Sequence, residues 1–201
     1  KAQQITCTSN LKQTGLAVHL FADDHGDWLP PGPGKNYGLL TGQRPGYKEG
    51  TRWRYELAYY IATYLGLPPP DPVTLRTADV FFCPSFERYN PPVVEEKAER
   101  TCYGVFNPKF ATNVNITWKP FGYAPGQDSP MEKPHKMTEV QQAAPLDKLW
   151  MITDLDQLGA STAGWRHETP PLPVHGGGSV RNHLYFDGHV EAVKAGPKGI
   201  L

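Results

Sequence analysis

No run of eighteen apolar residues occurs in this 201-residue chain, so no stretch of it is long and apolar enough to cross a bilayer as a helix. Neither sign of charge is in surplus, with twenty Lys+Arg against twenty Asp+Glu. Phosphate binding needs a basic excess on some face, so this balance argues against nucleic acid as the main partner. The chain also lacks a Lys/Arg-rich block of the kind that marks a membrane-surface patch. Cysteine is scarce: Cys7, Cys83 and Cys102 are the three, and no two form a Cys-x-x-Cys pair, which argues against a thiolate zinc site. There is no Gly-x-Ser-x-Gly, no His-Glu-x-x-His and no Gly-rich phosphate loop closed by Lys-Ser/Thr. His175-Gly176-Gly177-Gly178 has the look of an oxyanion-hole loop, but without a nucleophile elbow it reads as a tight turn with φ > 0 positions. These absences favour a protein that is not an enzyme.

Proline and glycine, by contrast, are abundant, at 21 and 20 residues, and they show no repeat. They indicate long surface loops between few regular elements. Apolar residues make up 39% and charged residues 20%, enough for one packed domain over residues 1–201.

The first helix is predicted over Ala2 to Ala22. Ile5, Thr8, Leu11, Gly15, Val18 and Ala22 fall near a 3.6-residue spacing, and Leu16, Leu20 and Phe21 widen the stripe. No cap residue or proline precedes it, and the chain opens on Lys1 and not Met, as expected of a processed or truncated form cut in mid-helix. Gly26 and Pro30-Pro31 end it. A second helix fits Arg52 to Leu65, with Thr51 as its cap and Trp53, Leu57, Ile61 and Tyr64 on one face. Strands are predicted at Val80 to Cys83, Cys102 to Phe106 and Leu149 to Thr153, and a short helix near Thr138 to Ala143 within a wandering loop over 107–148. Asp187-Gly188 between β-prone runs predicts a two-residue type I′ hairpin. Such a turn pairs Phe186 with His189 and Tyr185 with Val190. It puts Leu184, Phe186, His189 and Glu191 on one face and His183, Tyr185, Val190 and Ala192 on the other. The fold class is therefore α+β: an N-terminal helix followed by antiparallel strands.

Three groups of residues are candidates for ligands. Asp23, Asp24 and Asp27 in a Gly-containing loop, with Asp154 and Asp156 at a strand end, offer calcium its preferred carboxylates; the alternative is that they cap turns. His167, His175, His183 and His189 cluster near the end of the chain, but the hairpin faces keep His183 and His189 from one metal. Trp28, Trp53, Trp118, Trp150 and Trp165 with ten tyrosines are a possible sugar-binding surface, although aromatics in Pro-rich loops more often pin loops to a core. If the protein is exported, Cys83 and Cys102 could close a loop of about twenty residues, worth roughly 3 kcal/mol on the loop-entropy model, leaving Cys7 free. Three buried thiols are the alternative.

Two segments together resemble prepilin-like proteins, in particular the pseudopilins of type II secretion. Cys7-Thr8-Ser9-Asn10-Leu11-Lys12-Gln13, running on through Asp23-Asp24-His25-Gly26-Asp27-Trp28-Leu29-Pro30, is similar to the segment after the membrane helix in that group. His175-Gly176-Gly177-Gly178, Asn182 and Tyr185-Phe186-Asp187-Gly188-His189-Val190 resemble its C-terminal His-to-Asp-Gly-His-Val signature. Phe82-Cys83-Pro84-Ser85 and Cys102-Tyr103-Gly104 look like its middle segments. One departure stands out: eleven residues separate His175 from Asp187-Gly188, where the family usually has nine.

The resemblance implies a pilin-like fold, with residues 1–26 as the lower half of an assembly helix and 27–201 as sheet and loops. It implies an upstream leader and an apolar helix anchoring the protein in the inner membrane, with this part periplasmic or at the cell surface. The partners it implies are other pilin-like subunits and the secretion apparatus. The expected function is thus an assembly subunit that works by packing surfaces, with an exported, anchored ligand-binding domain as the alternative.

Overall fold

The computed structural model describes residues 2–89, 97–111, 116–125, 130–159, 163 and 166–195. Its first element, α1, runs Ala2–Asp24. Gly26 and Asp27 then take positive φ values of 63° and 74°, and Asp27 donates its backbone N–H to the carbonyl of Ala22. This left-handed pair is the stop that a glycine after a helix predicts.

The burial of α1 corrects part of the expected stripe. Cys7, Leu11, Thr14, Ala17, Val18, Phe21 and Ala22 face the core together with Gly15. Ile5, Leu16 and Leu20 do not join them; they are 70%, 62% and 41% exposed. At 100° per residue, positions 5, 16 and 20 fall within about 60° of one another and opposite Thr14 and Cys7. The helix therefore carries apolar residues on two opposed faces, and a single stripe drawn through all of them mixes both.

The predicted second helix is broken. A 3₁₀ turn over Trp53–Tyr55 leads to α2, Leu57–Ile61, and a further 3₁₀ turn covers Thr63–Leu65. The break is at Glu56, whose backbone is extended (φ −97°, ψ 137°). Its buried carboxylate accepts from the Arg44 backbone N–H at 2.9 Å and from Arg44 Nη1 at 3.0 Å. The Gln43 side chain accepts from the Leu57 N–H, satisfying an open donor at the start of α2, so Thr51 is not the cap.

Five strands form an antiparallel sheet in the order β1-β4-β5-β6-β7. They are β1 (Gly42–Gln43), β4 (Tyr103–Val105), β5 (Trp150–Asp154), β6 (Val180–Tyr185) and β7 (Val190–Lys194). A separate pair joins β2 (Gly46–Tyr47) to β3 (Arg76–Thr77). The coarse α+β expectation holds: a long N-terminal helix and an antiparallel sheet. Central β5 is buried at every position, as a strand covered on both faces must be. Leu184 of β6 lies against Gly15, which places α1 on the sheet. The predicted strand at Val80 to Cys83 is instead a 3₁₀ turn over Asp79–Phe81, followed by the extended residue Phe82. The short helix is α3, Met137–Ala143, and Asp27 holds it to the end of α1 by accepting from the N–H and hydroxyl of Thr138 at 3.0 and 2.6 Å.

The C-terminal hairpin forms, but not with a two-residue turn. Leu184 pairs with Val190 and His183 with Glu191, and Tyr185 donates to the carbonyl of His189 at 2.9 Å. The loop is therefore the three residues Phe186-Asp187-Gly188. Gly188 donates to the Tyr185 carbonyl and has φ 89°, whereas Asp187 is not among the positive-φ residues. This is the turn-plus-bulge that three-residue hairpins use. The extra residue shifts the register by one, so His189 pairs across from Tyr185 and stacks on its ring at 4.2 Å.

Candidate functional site

The cysteines correct the expected pairing: Cys7 is bonded to Cys83, and Cys102 is a buried free thiol. On α1, Cys7 shares its arc with Leu11, Thr14 and Val18, so it points inward. That helical position was the sequence signal for a bonded Cys7. Three residues further along the helix, Asn10 donates to the Phe82 carbonyl at 3.1 Å. Two of the signature residues of α1 thus hold the Phe82-Cys83 segment by a covalent bond and a hydrogen bond.

His175 completes this cluster. Its Nε2 lies 3.4 Å from Cys83 Sγ and 3.2 Å from Asp154 Oδ2. The acid meets the same ring nitrogen as the sulfur, so the three do not form a relay in which a carboxylate orients the far side of an imidazole. Asp154 Oδ2 also accepts from the Asn182 backbone N–H at 2.7 Å, while its Oδ1 is buried without a hydrogen-bond partner. Beside it, the fully buried Asp156 takes Arg181 at 2.5 and 2.9 Å and the N–H groups of Leu158 and Gly159 at 2.9 Å each. The buried Arg181–Asp156 pair had no motif to betray it in the sequence. Burial pushes the thiol of Cys102 and the phenol of Tyr103 well above their ordinary ranges, and the charge of Asp154 adds to both. Burial also lowers His183 to about 4, with Asp154 opposing the shift and Arg181 adding to it.

The five calcium candidates do not form one acidic cage. Asp154 sits next to the disulfide, whereas Asp23 and Asp24 lie sixteen and seventeen residues along α1 from Cys7, about 25 Å away at 1.5 Å per residue. Asp24 accepts from the Tyr64 hydroxyl at 2.9 Å and Asp27 holds Thr138. Among the described residues, the one group of three or more His, Cys, Asp or Glu with donor atoms mutually within 4.8 Å is Cys7, Cys83 and His175. The four histidines do not assemble either: His175 is in this cluster, His183 is buried beside Trp150, and His189 is at the hairpin loop against Asp187 at 2.6 Å. His167 lies in a 3₁₀ turn over Arg166–Glu168.

Among the described residues, the tryptophans do not line one surface. Trp53 and Trp150 are buried, and half-buried Trp28 and Trp118 lie against Lys136 and His135. Trp165 lies outside the described residues, as do residues 112–115 and 126–129 of the 107–148 span.

What remains open to solvent is the second face of α1. Ile5, Ser9, Lys12, Leu16 and Leu20 run along it, all exposed. Three of the six exposed large apolar side chains among the described residues are on this face. Near its start, Gln4, Ile5, Thr8, Ser9 and Lys12 line a shallow open groove.

Family models, curated proteins and solved structures give no match to this chain. Among the described residues no helix is long and apolar enough to cross a membrane.

Proposed function

We propose that this chain is the globular part of a pilin-like assembly subunit, related in role to the pseudopilins of type II secretion. It works through packing surfaces, with other pilin-like subunits as its partners, outside the inner membrane to which an upstream helix anchors it. The observation that carries this reading is the double-faced α1: one face is buried on its own sheet, and the opposite one displays Ile5, Leu16 and Leu20 to solvent. Apolar side chains exposed singly are common on folded domains, but three sharing one face of one helix make a patch that association can bury. A helix that packs side by side with copies of itself needs them, because burial of each such side chain is worth roughly 1.5–3 kcal/mol. The disulfide and the Asn10 bond fit the same reading. They fix α1 to the head near its start, so that a load on the helix is passed into the domain.

The test is a pair of charge substitutions, Ile5→Asp and Leu16→Asp, made in the complete protein in the cell that produces it. Both sites are exposed, so each variant should keep its Cys7–Cys83 bond and lose less than about 0.5 kcal/mol of stability. Assembled species should disappear in the double variant. A double variant that assembles as the parent does removes the reading, and Leu11→Ala, at a fully buried site, serves as the control that destabilises by roughly 2–5 kcal/mol.

A further inference from the structure

Cys7, Cys83, His175 and Asp154 come from four distant parts of the chain and meet in a place that is closed to water. Cys7 is 0%, Cys83 1%, Asp154 1% and His175 4% exposed. The sequence has no Cys-x-x-Cys, and the fold assembles a two-sulfur group without one.

Cys7, Cys83 and His175 have donor atoms mutually within 4.8 Å, while Asp154 meets only the His175 ring nitrogen of these and must close toward the sulfurs to complete a shell. Tetrahedral zinc, with Zn–S near 2.3 Å and Zn–N or Zn–O near 2.0–2.1 Å, sets sulfur–nitrogen edges of about 3.6 Å and nitrogen–oxygen edges of about 3.4 Å. The observed edges are 3.4 Å from Cys83 Sγ to His175 Nε2 and 3.2 Å from that nitrogen to Asp154 Oδ2. The Asn182 N–H donates to the Asp154 carboxylate at 2.7 Å and so fixes its orientation. Asp154 Oδ1 is a buried acceptor for which the described residues supply no donor. The two sulfurs must part from bonded contact to about 3.8 Å, a movement that side-chain rotation can supply.

We propose that Cys7, Cys83, His175 and Asp154 form a zinc site in the reduced chain, so that the same pocket holds either a disulfide or a zinc-class cation. The inference is independent of the assembly reading. A dithiol reductant gives two electrons to the Cys7–Cys83 bond and becomes a disulfide itself, and its two protons pass to the cysteine sulfurs. Zinc then forms two Zn–S bonds and releases those two protons, while His175 gives its Nε2 lone pair and Asp154 its Oδ2. Two thiolates, one carboxylate and a divalent cation leave a net charge of −1. A disulfide oxidant reverses the exchange: it takes two electrons from the two thiolates, becomes a dithiol with two protons from water, and Cys7–Cys83 closes as the zinc leaves.

The experiment uses the 201-residue chain, reduced with a dithiol and then freed of it, titrated with zinc and with cobalt against a chromophoric chelator. The expected result is one metal per reduced chain, two protons released per zinc, thiolate-to-cobalt charge-transfer and tetrahedral d–d bands, and no binding by the oxidised chain. Cys102→Ser should bind as the parent does. His175→Ala and Asp154→Asn should each weaken binding at least ten-fold. Circular dichroism separates loss of ligand from loss of fold, and the cobalt spectrum of the parent reports the thiolates without any substitution. The proposal is overturned if the reduced, folded chain binds no zinc. It is equally overturned if Cys7→Ser and His175→Ala retain full affinity, or if the reduced chain unfolds and zinc does not restore its fold.

Discussion

Leu184 of β6 fills the space that a side chain at Gly15 of α1 would occupy. A Cβ built on Gly15 would stand 2.9 Å from Leu184 Cδ1, 3.2 Å from Cδ2 and 3.6 Å from Cγ. Leu184 is fully buried, so its whole isobutyl group would have to move. Glycine in mid-helix costs about 1 kcal/mol relative to alanine, and here it lets the helix approach the sheet. Gly15→Val should destabilise the domain by roughly 2 kcal/mol, because overpacking a filled core typically costs 1–3 kcal/mol and outweighs the gain in helix propensity. Urea unfolding of the variant and the parent checks this, and an unchanged midpoint would mean that α1 does not rest on β6 at this point.

His183 gives the domain a dependence on acid. Its side chain is held neutral by burial, with a folded pKa of about 4 against 6.5 for the free group. Between those values the unfolded chain binds the proton and the folded one does not, so stability is full above about pH 6.5 and falls as the pH drops through 4. The loss attributable to this group should reach about 3 kcal/mol below pH 4. In His183→Phe, which keeps a ring against Trp150, that part of the acid dependence should vanish. Denaturant midpoints of both proteins across this range measure the difference, and parallel curves would contradict the assignment.

The disulfide closes a long loop, with 76 residues of sequence separation, and the chain-entropy model gives such a closure roughly 4–5 kcal/mol. Mass spectrometry of a non-reduced digest should find the Cys7 and Cys83 peptides joined. Alkylation of the native protein should leave Cys102 unmodified, since its thiol is buried and burial holds it protonated. A Cys83–Cys102 peptide, or rapid alkylation at Cys102, would refute the pairing.

Much of the framework was legible in the sequence because local signals and tertiary demands agreed there. The spacing of Leu11 and Val18, Gly26 at the helix end, and the apolar run at β5 each point to what is found. The errors arise where a distant residue decides a local matter. Glu56 leaves the helix because Arg44 waits for its carboxylate, and Cys83 turns to Cys7 because α1 crosses beside it. At the hairpin, one residue more in the loop moves His189 to the opposite face from the one a type I′ turn assigns. Of the candidate site, the family-like signature picked out Cys7, Asn10 and His175, but neither spacing nor composition could reveal that Asp154 joins them or that Arg181 pairs with Asp156.

The central claim is that the open face of α1 meets other subunits. Its most direct test places a photo-crosslinking amino acid at Ile5, Leu16 or Leu20 in the complete protein within its own cell. Val73, 81% exposed and in the turn capped by Asp71, is the control. The account predicts crosslinks from all three helix positions to a second copy or to another pilin-like subunit, identified by the joined peptides, and none from Val73. Monomer alone from every position, or products from Val73 equal to those from α1, would contradict it.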